Sequence, residues 1–164
     1  MRALIFSLLL TSYTLAFAED KWPQISDLEW SDNKHLQTQR EWMDDLTRLR
    51  FGEPIRGNLG DLTTLQRIID ESVIDTSNEL RLQAMGVVLG DVFVEEHGLE
   101  WRIYRDEKGR SRATCVPKTE QCLFPITMLS RRITVGLKPN VEEVYKKASD
   151  LIKPYLPKLP YQVD

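Results

Sequence analysis

The chain has 164 residues, with 22 Lys and Arg against 25 Asp and Glu, a formal net charge of −3, two cysteines and two histidines. This mildly acidic balance lacks the cationic excess needed to neutralise phosphates, which sets nucleic-acid binding aside. The length suits one domain with its own core.

The first residues, MRALIFSLLLTSYTLAFAED, place one positive residue, Arg2, before an apolar run from Ala3 to Leu10 that thins towards Ala16-Phe17-Ala18, with acids directly after. That is the pattern of a secretory signal peptide over residues 1–18, cleaved between Ala18 and Glu19. The run is too short and too broken by Thr11, Ser12 and Thr14 for a stable membrane anchor, which needs roughly 20 apolar residues. The expected product is periplasmic or secreted, with a single α+β domain over 19–153 and a proline-rich tail over 154–164.

Three helices are expected next. "SDNKHLQTQREWMDDLTRLRFG" spaces Leu36, Met43, Leu46 and Leu49 or Arg50 at helical intervals, with Gly52 and Pro54 beyond. "GDLTTLQRIIDES" repeats the pattern through Leu62, Leu65, Ile68 and Ile69, with Asp61 as N-cap. Thr76 and Glu79 have capping-box spacing before "LRLQAMGVVLGDVFVEE", whose apolar density predicts a central helix buried on more than one side. Gly86 and Gly90 interrupt it where a neighbour can approach closely, and Gly98 ends it.

From Leu99 the period changes to two. Leu99, Trp101 and Ile103 alternate with Glu100, Arg102 and Tyr104, "DEKG" turns, and "RSRATCV" returns, which reads as a hairpin. "PKTEQ" turns again into a short third strand, "CLFP", giving an antiparallel sheet of about three strands. Cys115 and Cys122 fall on the second and third of these, and in an oxidising compartment they pair as a structural disulfide. The eight-residue loop so closed is worth about 2.5 kcal/mol by chain entropy. Their spacing is not C-x-x-C, which disfavours thiol redox chemistry.

Pro125 suits the first turn of the following helix, "ITMLSRRITVG". Asn140 starts a last one with Val141, Val144, Tyr145, Ala148, Leu151 and Ile152 on a broad face. Pro154, Pro157 and Pro160, spaced by three, suggest a polyproline II tail whose Leu156 and Leu159 edge packs on the domain.

Sought chemistry is mostly absent. Asp91 and Glu95 share a helical face, but His97 lies about 200° around from Glu95, so the three do not form a metal site. There is no H-E-x-x-H, no calcium-loop pattern and no G-x-S-x-G. A serine triad would need His35 or His97 as its base, and nothing in the spacing favours either. No cofactor is expected, and His97 reads as a C-terminal helix residue donating to unpaired carbonyls. What remains is a surface: Arg102, Tyr104, Arg110 and Arg112 on one face of the hairpin, with Arg131 and Arg132 one helix later, a composition suited to an interface.

The stretch "LGDVFVEEHGLEWRIYRDEKG" together with "FPITMLSRR" resembles the bacterial family catalogued as domain of unknown function 3806, over roughly residues 60–150. The resemblance implies an α+β domain and no established activity. The Cys115/Cys122 pair and the proline tail are additions to it. The expected function is that of an exported, non-enzymatic binding protein with a protein partner in the envelope. A small hydrolase using acids near Asp91, Glu95 or Asp106 is the alternative, and an immunity-like inhibitor of an envelope-acting toxin is a further one.

Overall fold

The structure, a computed structural model, describes residues 22–157. The expected leader, the Ala18/Glu19 cleavage site and the tail beyond Pro157 lie outside the described residues.

Helix α1, Trp30–Phe51, buries Leu36 and Met43, whereas Leu49 is 89% exposed, so the apolar stripe runs out before the last turn. Asp32, in the first turn, accepts from the Glu29 backbone N–H at 3.1 Å. Gly52, at φ 73°, ends the helix in the left-handed conformation that a side chain would strain.

Helix α2, Gly60–Asp70, starts one residue before Asp61, which is therefore not its N-cap. The buried Asp61 carboxylate turns back instead and accepts the backbone N–H groups of Arg56 (3.1 Å) and Gly57 (2.6 Å). It fastens the loop that leads into the helix. Burial pushes its pKa up, against those hydrogen bonds.

Helix α3, Glu79–His97, is the central element, with ten buried residues between Leu82 and Phe93. Its N-cap is Asn78, whose side chain accepts from the Arg81 N–H at 3.3 Å, so the expected Thr76–Glu79 box does not form. Asp75 accepts from the Ser77 N–H at 2.7 Å, and this local turn moves the helix start past Thr76. The two expected interruptions are not breaks. The helix continues through Gly86 and Gly90, and both glycines serve close approach. A Cβ at Gly86 would lie 2.5 Å from the backbone of Ile126, and one at Gly90 would lie 2.2 Å from the Trp101 indole and 2.9 Å from Pro125. Gly98, at φ 65°, ends the helix as expected.

The sheet has four antiparallel strands in the order β1 (Gln24–Ser26), β2 (Glu100–Asp106), β3 (Gly109–Cys115) and β4 (Cys122–Leu123). The extra strand, β1, adds three residues to the edge of β2, pairing Ile25 with Tyr104. Across the hairpin Arg102 pairs with Ala113, Ile103 with Arg112 and Tyr104 with Ser111. The Cys115–Cys122 disulfide joins directly opposed residues of β3 and β4.

Helix α4, Pro125–Ile133, begins with its proline at the first position and packs across α3 at Gly86. Helix α5, Val141–Ile152, is capped by Asn140, whose side chain accepts from the Glu143 N–H at 2.8 Å. It buries Val141, Ala148, Ser149 and Ile152, while Leu151 is 71% exposed and leaves the expected face. Lys153–Tyr155 form a 3-10 turn, so the tail does not begin as polyproline II. The chain is extended only at Leu156, which packs against the core. The fold is thus α+β, with five helices and a four-stranded antiparallel sheet among the described residues.

Candidate functional site

The acid-rich end of α3 is a structural joint. Asp91 accepts two hydrogen bonds from Arg40, each 2.7 Å, and a third at 2.9 Å from the Trp101 indole N–H. One carboxylate thereby ties α1, α3 and β2 together, and its oxygens are occupied by cationic and indole donors. Asp91 and Glu95 do line a depression of about 440 Å³ with Gln37, Glu41, Arg40 and Asp44. Asp44 is also engaged, accepting from the Ile55 N–H at 2.9 Å and from Arg48 at 2.6 Å. Asp106 closes the hairpin turn, accepting from the Lys108 and Gly109 N–H groups. Among the described residues no three metal-binding side chains converge.

The arginines of the hairpin do not share a face. The turn of Glu107 and Lys108 pairs Asp106 with Gly109, so even positions of β2 stand beside odd positions of β3. Arg102 and Tyr104 therefore lie on one side, Arg110 and Arg112 on the other. Arg110 reaches Asp32 through two bonds, at 3.0 and 2.5 Å, and Arg112 through one at 2.9 Å. The Asp32 side chain is 1% exposed, and the Arg110 guanidinium beside it, helped by Arg112, holds its carboxyl below the usual range. Arg102 is engaged by Glu100 and Asp27. Tyr104 packs edge-on against Phe124, with ring centroids 5.0 Å apart. Arg131 and Arg132 are exposed in the last turn of α4, where Arg132 donates to the Met128 carbonyl.

His97 does not cap its own helix through its side chain. Its Nε2 lies 2.8 Å from Ser149 Oγ and 3.3 Å from Tyr145 Oη, both on α5. The His97 and Tyr145 rings are nearly parallel, 8° apart with centroids at 5.8 Å, and Phe93 lies 5.1 Å from Tyr145 at 17°. This aromatic packing fixes the end of α3 against α5. Burial pushes the His97 pKa down and the Tyr145 pKa up, so at neutral pH both are uncharged.

His97, Tyr145 and Ser149 line a groove of about 680 Å³ between α2 and α5. Leu59, Leu62 and Thr63 form one wall, while Lys146, Asp150 and Lys153 lie along the other. Lys146 and Lys153 both lie near Asp150, at 2.9 and 3.9 Å, and Glu142 also lines the groove, so two cations stand with two anions. Tyr145 and Ser149 are four residues apart and so share a helical face. That spacing was visible in the sequence, but the approach of His97, 52 residues from Ser149, was not.

A central buried helix packed by α4, with a hairpin anchored to it through a tryptophan, defines an α+β domain. The chain matches the family described as "Domain of unknown function (DUF3806)" over residues 61–145, and it belongs to that family. The match runs from Asp61 to Tyr145, including α3, the hairpin and His97 and stopping short of Ser149. No curated protein matches the chain. The fold is similar to that of a protein from Bacteroides thetaiotaomicron VPI-5482 whose crystal structure was solved at 1.50 Å, with a TM-score of 0.70 and 19% identity. That similarity covers 80% of this chain and 49% of the other, so this chain spans about half of that protein's length.

Proposed function

We propose that this is an exported binding protein of the bacterial envelope and that the groove between α2 and α5 receives its ligand, a small polar molecule. The observation that carries the reading is the groove itself. Its volume of about 680 Å³ falls within the roughly 300–1,000 Å³ typical of small-molecule sites. Uncharged imidazole and hydroxyl groups converge on its floor, opposite the apolar side chains of Leu59 and Leu62. Such a surface suits a ligand that brings its own hydrogen-bonding groups and little net charge.

The hairpin offers less for recognition than its composition suggests, because Arg110 and Arg112 are held by Asp32 and Arg102 by two acids. Paired-carboxylate hydrolysis gains no support from Asp91, whose oxygens are taken by Arg40 and Trp101. Export is supported by the leader pattern of residues 1–18, and the disulfide is compatible with it.

Titrating isotopically labelled protein with a library of small polar fragments tests the binding reading by NMR. Amide shifts should cluster at Leu62, Thr63, Tyr145 and Ser149. A cluster on the hairpin, or none, would contradict it. For export, the intact mass of protein recovered from the periplasmic fraction should correspond to a chain starting at Glu19, and recovery only of cytoplasmic full-length chain would oppose that part.

A further inference from the structure

We propose that Ser149 and His97 form an acyl-transfer pair on the groove floor, acting on a small carboxylic ester, with Tyr145 donating to the oxyanion. This rests on the groove being a ligand site and adds a reaction to it. The Ser149 Oγ to His97 Nε2 distance of 2.8 Å is within the reach required of a nucleophile and its general base. The reaction uses the tautomer that carries its proton on Nδ1. Nε2 faces the two hydroxyls, at 2.8 Å from Ser149 Oγ and 3.3 Å from Tyr145 Oη. With the proton on Nδ1, Nε2 presents its lone pair to Ser149.

Tyr145 Oη stands 3.3 Å from the same Nε2, a longer approach than that of Ser149. In the Nδ1-protonated tautomer the single Nε2 lone pair is directed to Ser149, and the phenol, beside both groups, supplies the proton that a developing oxyanion takes. Near-parallel packing with Phe93 and His97 fixes the Tyr145 ring, so the donor is already in place.

In the reaction Ser149 Oγ bonds to the ester carbonyl carbon as its proton passes to His97 Nε2. The tetrahedral oxyanion collapses, the ester C–O bond breaks, and the alcohol leaves with the proton from Nε2. Water then adds to the acyl-serine, giving its proton to His97, and Ser149 departs and recovers it. Ester and water become acid and alcohol, with no oxidation change and no further reactant.

The test treats the purified full chain with a small alkyl fluorophosphonate, reads the adduct by intact mass and peptide mapping, and follows p-nitrophenyl acetate hydrolysis in parallel. One adduct is expected, on Ser149, lost in Ser149→Ala. His97→Gln and Tyr145→Phe should each slow labelling and hydrolysis roughly hundredfold. No adduct on Ser149 in the wild-type protein, or labelling of Ser149 unaffected by His97→Gln, would overturn the proposal. Fragment shifts in the groove without labelling would overturn the reaction and leave binding standing. Absence of both would remove the two readings together.

Discussion

Asp32 shows what a single residue contributes to this fold. It lies in the first turn of α1, where a negative charge is favoured by the helix dipole, and it draws Arg110 and Arg112 of β3 onto that helix. Removing the charge leaves two guanidinium groups, each about one-third exposed or less, without their partner. Asp32→Asn is expected to cost about 2 kcal/mol, measured as a fall in urea midpoint, less than the roughly 3–5 kcal/mol for breaking a fully buried pair because the arginines keep some water. His97 sets a pH dependence. Its folded pKa lies below the roughly 6.5 of an unfolded histidine, so between the two values the unfolded chain binds more protons and stability rises with pH. His35 is shifted in the same direction. The urea midpoint should therefore fall as pH is lowered from 7.5 towards 5.5, and His97→Gln should remove part of that slope. An unchanged slope would mean that His97 is not desolvated at the α3–α5 contact. At this scale the sequence reveals what is local. Gly98 as a stop and the two cysteines were legible because their evidence lies within a few positions. Asp32 with its arginines and His97 with Ser149 were not, because their partners are brought close only by the tertiary fold.

The elements are joined at a few close contacts, and α3 bears most of them. Gly90 lets the Trp101 indole and Pro125 lie against the helix backbone, and the same indole donates to Asp91 one residue later. Gly90→Ala would force the indole or α4 away and should destabilise by about 2 kcal/mol, with Trp101 fluorescence reporting the displacement. Gly98→Ala probes something different, since open space surrounds it and only its positive φ of 65° is strained; a loss of about 1 kcal/mol is expected. The disulfide should contribute about 2.5 kcal/mol by chain entropy, read as the difference in urea midpoint between oxidised and reduced protein. The helices were legible because apolar spacing repeats over many residues. β1 was not, because three residues, Gln24-Ile25-Ser26, carry no period and gain strand character only from pairing with β2. The hairpin itself was legible, but which residues share its faces was not. A two-residue turn sets even against odd positions, which puts Arg110 and Arg112 opposite Arg102 and Tyr104. The expected polyproline start also yielded to a local preference, as Pro154 suits a helical first turn and continues α5 into a 3-10 turn.

For the whole molecule, α3 is the buried centre, and α2 and α5 stand along the groove beside it. The acid-rich stretch around Asp91 and His97, the most conspicuous chemistry in the sequence, divides between two tasks. Asp91 locks α1, α3 and β2, while His97 turns to α5 and joins the groove floor. This groove, and not the arginine-bearing hairpin, is where we propose that the protein meets its ligand. Filling it at a position the core does not use separates the two. Thr63 is exposed on the groove wall, and Thr63→Trp should leave the urea midpoint within about 0.5 kcal/mol of wild type, as for an ordinary surface change. The decisive measurement is the fragment-induced amide shift map of wild-type and Thr63→Trp proteins. Wild-type shifts centred on Thr63, Tyr145 and Ser149 should disappear in the variant, whereas shifts centred on Arg102 and Tyr104 that persist in both would place the ligand on the hairpin instead.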